Sequence, residues 1–217
     1  MAQIVLFHSA LGLRPGVLAS ADRLRAAGHT VHTPDLFDGE IFDDLGEGVR
    51  KRDALGIPEI ARRAQEAVAH LLAPLIFAGF SLGTGPAELL AATRPGAQGA
   101  VLMHGALPIE PFEPFGLRRC PAGVPVQVHY AAEDPWVDGR NVAALRAAVQ
   151  LAGAAFEAYT HPGSGHLFAD PDLPEYDPAS SELMWRCVLE FVDRVAARKW
   201  LKRPRRRVPH AEGGERG

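Results

Sequence analysis

The apolar run Leu75–Phe80 passes into the helix-patterned stretch Leu82–Thr93 through Gly79-Phe80-Ser81-Leu82-Gly83. No other stretch constrains this chain as strongly. An unbroken apolar run of that length suits a strand buried on both faces. A serine at the sharp turn that follows stands clear of the backbone, and glycines two before and two after it relieve the crowding such a turn creates. A serine hydroxyl is a weak nucleophile until a base takes its proton, so the turn predicts an activated Ser81. The Leu82 N–H, at the start of the helix, would point at a developing oxyanion. A phosphate-binding turn is the competing reading, but the dinucleotide fingerprint is not met at Gly79–Gly85.

The rest of the chain supplies the setting this turn needs. Strands are expected over Gln3–Phe7, His29–Thr33, Leu75–Phe80, Gly99–His104, Val124–Tyr130 and Ala155–Thr160. Helices are expected over Val17–Ala27, Pro58–Leu72, Leu82–Thr93, Gly139–Leu151 and Pro178–Ala197. Alternation of this kind implies an α/β fold, a mainly parallel sheet with helices on both faces. Asp35–Gly56, rich in Gly and Asp, reads as a long surface connection. Ile109–Gly123 reads as a loop too short for a large cap domain, so an open site is expected.

Residues 1–197 read as one domain and 198–217 as a basic, disordered tail. The tail carries eight Lys/Arg and two acids, +6, so the body carries −9 of the net −3. The body therefore lacks the basic surplus of a nucleic-acid binder, and a solvated end is the plain reading of the tail. No apolar run approaches the roughly 18 residues that cross a bilayer. Met1–Phe7 lacks a basic leader and reads as a first strand. The two cysteines, Cys120 and Cys187, sit in no metal-like spacing and are expected to stay reduced, which points to the cytoplasm. The histidines and acids show no HExxH-type ligand spacing, and neither a metal nor a cofactor is expected.

The partners of an elbow serine follow in the order acid, then histidine. Asp134, in Ala131-Ala132-Glu133-Asp134-Pro135-Trp136 after a late strand, is the leading acid, with Glu133 and Asp138 as alternatives. Among nine histidines, His166 is the expected general base. It lies in the glycine-rich Pro162–Phe168 stretch before the last helix, where a flexible loop could swing it over the elbow. His8 and His104 end strands on the same sheet edge as Ser81 and read as hydrogen-bonded structural residues that could line the pocket. His161 sits too early in the loop, and Ser164 lacks the strand-turn-helix setting. A second oxyanion donor is expected from Phe7-His8-Ser9-Ala10-Leu11-Gly12, with Ala10 as the candidate and Leu11 as its neighbour. Phe37, Phe42, Phe112, Phe115 and Trp136 are possible pocket-lining residues.

Phe7–Gly12, Ala21–His29, Thr33-Pro34-Asp35-Leu36-Phe37, Gly79–Gly83, Ala132–Trp136 and Gly165–Asp170 together resemble the dienelactone hydrolase family of the α/β-hydrolase superfamily, over residues 3–197. The resemblance implies the α/β-hydrolase fold without a large cap, cofactor-free hydrolysis of an ester or lactone, and an acyl-enzyme. The name-giving members use a Cys-Asp-His triad. Here Ser81 replaces the cysteine, and Ser9 stands where they carry an acidic neighbour of the nucleophile. A Ser81–His166–Asp134 triad acting on a small-molecule ester or lactone is therefore expected. A thioester or amide substrate, or a non-catalytic binding role on the same scaffold, are the alternatives.

Overall fold

The computed structural model describes residues 1–108, 120 and 122–201, with side chains to Ala197. Six strands run β1 (Gln3–Phe7), β2 (Thr30–His32), β3 (Leu75–Phe80), β4 (Ala97–Met103), β5 (Val126–Ala131) and β6 (Phe156–His161). They form one sheet in the order β2-β1-β3-β4-β5-β6, and all five pairings are parallel. The helices are α1 (Pro15–Ala26), α2 (Leu45–Leu55), α3 (Ile57–Val68), α4 (Thr84–Thr93), α5 (Gly139–Leu151) and α6 (Pro178–Leu201). This is the α/β architecture, a parallel sheet with helices on both faces, expected from the alternation.

The period-2 alternation of the strands divides the core into two layers. Ile4, Leu6, Ile76, Ala78, Phe80, Val101 and Met103 pack against α1 and α6. Val5, Phe7, Leu75, Phe77, Ala100 and Leu102 pack against α3, α4 and α5. Strand β3 is buried along its whole length, which is why it reads as an uninterrupted apolar run. Full burial of a Phe, Leu or Ile side chain is worth roughly 1.5–3 kcal/mol over exposure. The elbow therefore leaves one of the most firmly held elements of the fold.

Two element boundaries differ from the sequence reading in ways that matter to the site. Asp35–Gly56 is not simply a surface connection, because it contains α2. Asp44 caps that helix, its Oδ1 accepting from the Glu47 N–H at 2.9 Å. Two glycines, Gly46 and Gly48, weaken the helical signal, each costing about 1 kcal/mol relative to Ala. Second, the helix after the elbow does not begin at Leu82. Ser81–Gly83 is a single 3₁₀ turn, and α4 starts at Thr84. Helix α6 continues to Leu201. The loop expected over Ile109–Gly123 lies largely outside the described residues, as does most of the tail.

The chain runs from β1 through α1 out to β2, then returns to β3 on the other side of β1. The sheet order thus reverses between β1 and β3, and open α/β sheets bind ligands at the carboxyl ends of the strands flanking such a reversal. Ser9 follows β1 there and Ser81 follows β3.

Candidate active site

Ser81 adopts φ +48°, a left-handed conformation that costs a non-glycine residue on the order of 1–3 kcal/mol and persists only where its surroundings hold it. The flanking glycines make the turn possible. A Cβ on Gly79 would lie 2.0 Å from the Gly83 carbonyl oxygen, and one on Gly83 would lie 2.6 Å from that of Phe7. Thr84 Oγ1 donates to the Ser81 carbonyl at 2.7 Å and ties the turn to α4.

Ser81 Oγ lies 2.7 Å from His166 Nε2, and His166 Nδ1 lies 2.8 Å from Asp134 Oδ2. A carboxylate can only accept, so the Nδ1 proton faces Asp134 and Nε2 is left to accept the Ser81 hydroxyl proton. The second oxygen, Asp134 Oδ1, accepts from the Trp136 N–H at 2.9 Å. Asp134 and His166 are both buried. Of the alternative acids, Asp138 instead caps α5 and pairs with Arg140 at 2.7 Å, and Glu133 is exposed.

The His166 segment, expected as a flexible glycine-rich loop, is tied down at its backbone. Glu175 Oε2 accepts from the His166 N–H at 3.0 Å, and Oε1 accepts from the Leu167 N–H at 2.8 Å. One carboxylate thus holds two consecutive peptides, and Leu167, Phe168 and Ala169 are buried. The sequence reading missed Glu175. Glu175, one of two acids in Pro171–Tyr176, carries no pattern that marks it, because its partners become neighbours only when the loop closes.

Leu82 is the second residue of the 3₁₀ turn, so its N–H lies in the first turn, where helical backbone donors lack an intrahelical partner. Of the two residues considered after β1, the Leu11 N–H is engaged by Ser9 Oγ at 3.2 Å, which favours Ala10. Helix α2 presses on this loop. A Cβ on Gly48 would lie 2.1 Å from the Ala10 carbonyl oxygen, so only glycine allows the helix to approach the Ala10 peptide this closely.

The two strand-end histidines differ. His8 is a hydrogen-bonded structural residue. Its Nδ1 donates to the Ser9 carbonyl at 2.7 Å and its Nε2 accepts from the Leu36 N–H at 2.9 Å, which links the loops after β1 and β2. Burial pushes its pKa down. His104 departs from expectation, since neither ring nitrogen has a hydrogen-bond partner among the described residues. It adopts φ +64°, stacks on Phe80 at 5.8 Å and meets His166 at 6.3 Å between ring centroids. Burial, reinforced by the neighbouring His166, holds its pKa well below the usual imidazole range, so the ring is neutral. Beneath the site His129 Nδ1 lies 3.1 Å from His161 Nε2. Burial, then His161, depresses the His129 pKa to about 3.

A cleft of about 360 Å³ opens above Ser81 and His166. Its walls come from α2, α3 and α4, with Leu107 and Trp136 closing the sides. Trp136 is half exposed and sits 5.9 Å from the His166 ring. Phe37 is instead a core residue and Phe42 packs on the same core. Phe112 and Phe115 lie outside the described residues. Among the described residues no group of three or more His, Cys, Asp or Glu side chains could hold a metal ion, and no helix is long and apolar enough to cross a membrane.

The sequence profile of the dienelactone hydrolase family matches residues 1–196. An Escherichia coli (strain K12) protein named "Putative carboxymethylenebutenolidase" is 28% identical over 132 residues, covering 58% of this chain and 48% of that protein. This chain thus matches about half the length of that relative. A Yersinia pestis protein of the same name is 23% identical over 205 residues, covering 87% of this chain and 76% of that protein. The crystal structure of a dienelactone hydrolase-like promiscuous phosphotriesterase from metagenomic libraries superposes with a TM-score of 0.74 at 23% identity, covering 90% of this chain and 87% of that one. At that identity the likeness speaks to the fold.

Proposed function

The chain belongs to the dienelactone hydrolase family, and from that premise we propose that it is a serine hydrolase of carboxylic esters or lactones, with Ser81, His166 and Asp134 as its triad and Leu82 and Ala10 as oxyanion donors. One observation carries the reading: the continuous hydrogen-bonded chain from Ser81 Oγ through His166 to Asp134.

His166 Nε2 takes the Ser81 proton as Oγ attacks the carbonyl carbon. The imidazolium formed is stabilised by Asp134, whose two oxygens accept from His166 Nδ1 and from the Trp136 N–H. The negative charge gathers on the former carbonyl oxygen, between the Leu82 and Ala10 N–H groups. Collapse breaks the carbon–oxygen bond to the leaving alkoxide, which takes the proton from His166. Water then attacks the acyl-enzyme, gives its proton to His166, and the acid departs as Ser81 recovers that proton. No redox partner or cofactor enters the balance. The unpaired Cys120 and Cys187 suit a reducing compartment, and we place the reaction in the cytoplasm.

The test is turnover of p-nitrophenyl acetate by the wild type and by Ser81→Ala. A loss on the order of 10⁴-fold is expected for removal of a triad member. Equal turnover by the two proteins would overturn the assignment.

A further inference from the structure

The wall of the cleft above Ser81 carries a preference of its own. Three helices each turn one stripe toward it: Leu45 and Val49 from α2, Ile60 and Ala61 from α3, Pro86 and Leu89 from α4. Leu45, Val49 and Arg52 are spaced as one face of a helix. Two charged side chains of these walls are already satisfied by neighbours. The Arg52 guanidinium binds Asp53 at 2.7 Å, and the Asp138 carboxylate binds Arg140 at 2.7 Å. At about 360 Å³ the cleft lies at the small end of ligand pockets.

Resting on the serine hydrolase reading above, we propose that the substrate is an uncharged ester with an apolar arm, and that this arm lies against the α2–α3–α4 wall. An apolar arm displaces water from the stripes and gains with each methylene that enters. A carboxylate on the arm would be stripped of water opposite a wall whose one cation, among the described residues, is held by Asp53, and would bind poorly. The α2 stripe makes the wall, so the helix hidden in a glycine-rich connection sets the specificity.

The proposal is tested on the full chain with two ester series and one matched pair. The series are p-nitrophenyl acetate through hexanoate and methyl through hexyl acetate. The pair is p-nitrophenyl valerate against p-nitrophenyl hydrogen succinate, close in size and different in charge. We expect kcat/KM to rise in at least one series by up to about fourfold per added methylene, and valerate to exceed hydrogen succinate by about tenfold or more. Val49→Asp, with Ile57→Asp at a more exposed wall position as its companion, is expected to depress hexanoate turnover more than acetate turnover. Flat profiles in both series, or a preference for hydrogen succinate, would overturn the proposal. The Ser81→Ala protein binds without turnover, so Kd values for the valerate and hydrogen succinate esters read the cleft apart from the chemistry. If Ser81→Ala leaves turnover intact, the serine reading fails. If Ser81→Ala abolishes turnover but the Kd values favour hydrogen succinate, the cleft proposal fails alone.

Discussion

Glu175 accepts the backbone N–H of His166 through one carboxylate oxygen and that of Leu167 through the other, at 3.0 and 2.8 Å. The imidazole that meets Ser81 is therefore oriented at both ends: by Asp134 at its ring and by Glu175 at its main chain. A misplacement of about 1 Å in such a group costs on the order of 100-fold in rate.

Glu175→Ala is expected to lower kcat by roughly 10- to 100-fold while KM changes little. Glu175→Gln, which keeps one carbonyl acceptor, recovers part of the loss. Steady-state kinetics on a p-nitrophenyl ester measure both. A change in KM alone would show that Glu175 shapes binding and leaves the base in place.

Asp134→Asn is expected to leave the fold intact and cut kcat by about 10⁴-fold. The amide can donate to Nδ1 and so stabilise the wrong imidazole tautomer. Circular dichroism checks the fold and single-turnover kinetics check the rate. Asp138→Asn, which alters the α5 cap, should cost far less in rate.

Gly48→Ala sets two effects against each other. Helix propensity alone favours Ala by about 1 kcal/mol. The added Cβ would meet the Ala10 carbonyl oxygen at 2.1 Å, and a backbone atom cannot yield cheaply. The contact wins, so the variant is expected to lose stability and to displace the Ala10 peptide, with a fall in kcat of about 10-fold or more. Urea midpoints and the rate of fluorophosphonate labelling of Ser81 read the two effects separately.

The buried imidazoles give stability a definite pH dependence. Burial depresses the pKa values of His104, His129 and His161 in the folded state, while the unfolded chain protonates near pH 6.5. Between those values the unfolded state holds more protons, so stability falls as pH drops below about 6.5, by on the order of 1 kcal/mol per pH unit for each such group. For His129 the window runs down to about pH 3. Urea midpoints at pH 7 and pH 5 measure the slope. His104→Phe, which removes two buried nitrogens without partners, is expected to flatten it.

The sheet and the elbow were legible because their signals are local. The bounds of Leu75–Phe80 and Gly139–Leu151 agree with the structure, since an unbroken apolar run and a glycine-to-leucine helical stretch need no distant partner to be recognised. Helix α2 was not legible, although Asp44-x-x-Glu47 is a helix-start signature. Its glycines argue against a helix until the Ala10 carbonyl is seen against Gly48. The bonding of His104 was misread for a related reason: whether a buried ring nitrogen finds a partner depends on Phe80, His166 and Phe168, which converge on it from two other segments.

By itself the sequence determined the alternation of strand and helix, the turn that exposes Ser81, and the order in which Asp134 and His166 follow. These properties rest on residues within a few positions of one another. Only the tertiary structure decided that Asp134 rather than Asp138 faces the imidazole, that Ser9 engages Leu11, that Glu175 anchors the His166 loop, and that α2 walls the cleft. The Asp134–His166 bond and the approach of Gly48 to Ala10 join residues 32 and 38 positions apart, and the Ser9 and Glu175 contacts, though nearer in sequence, form only once their loops close at the sheet edge.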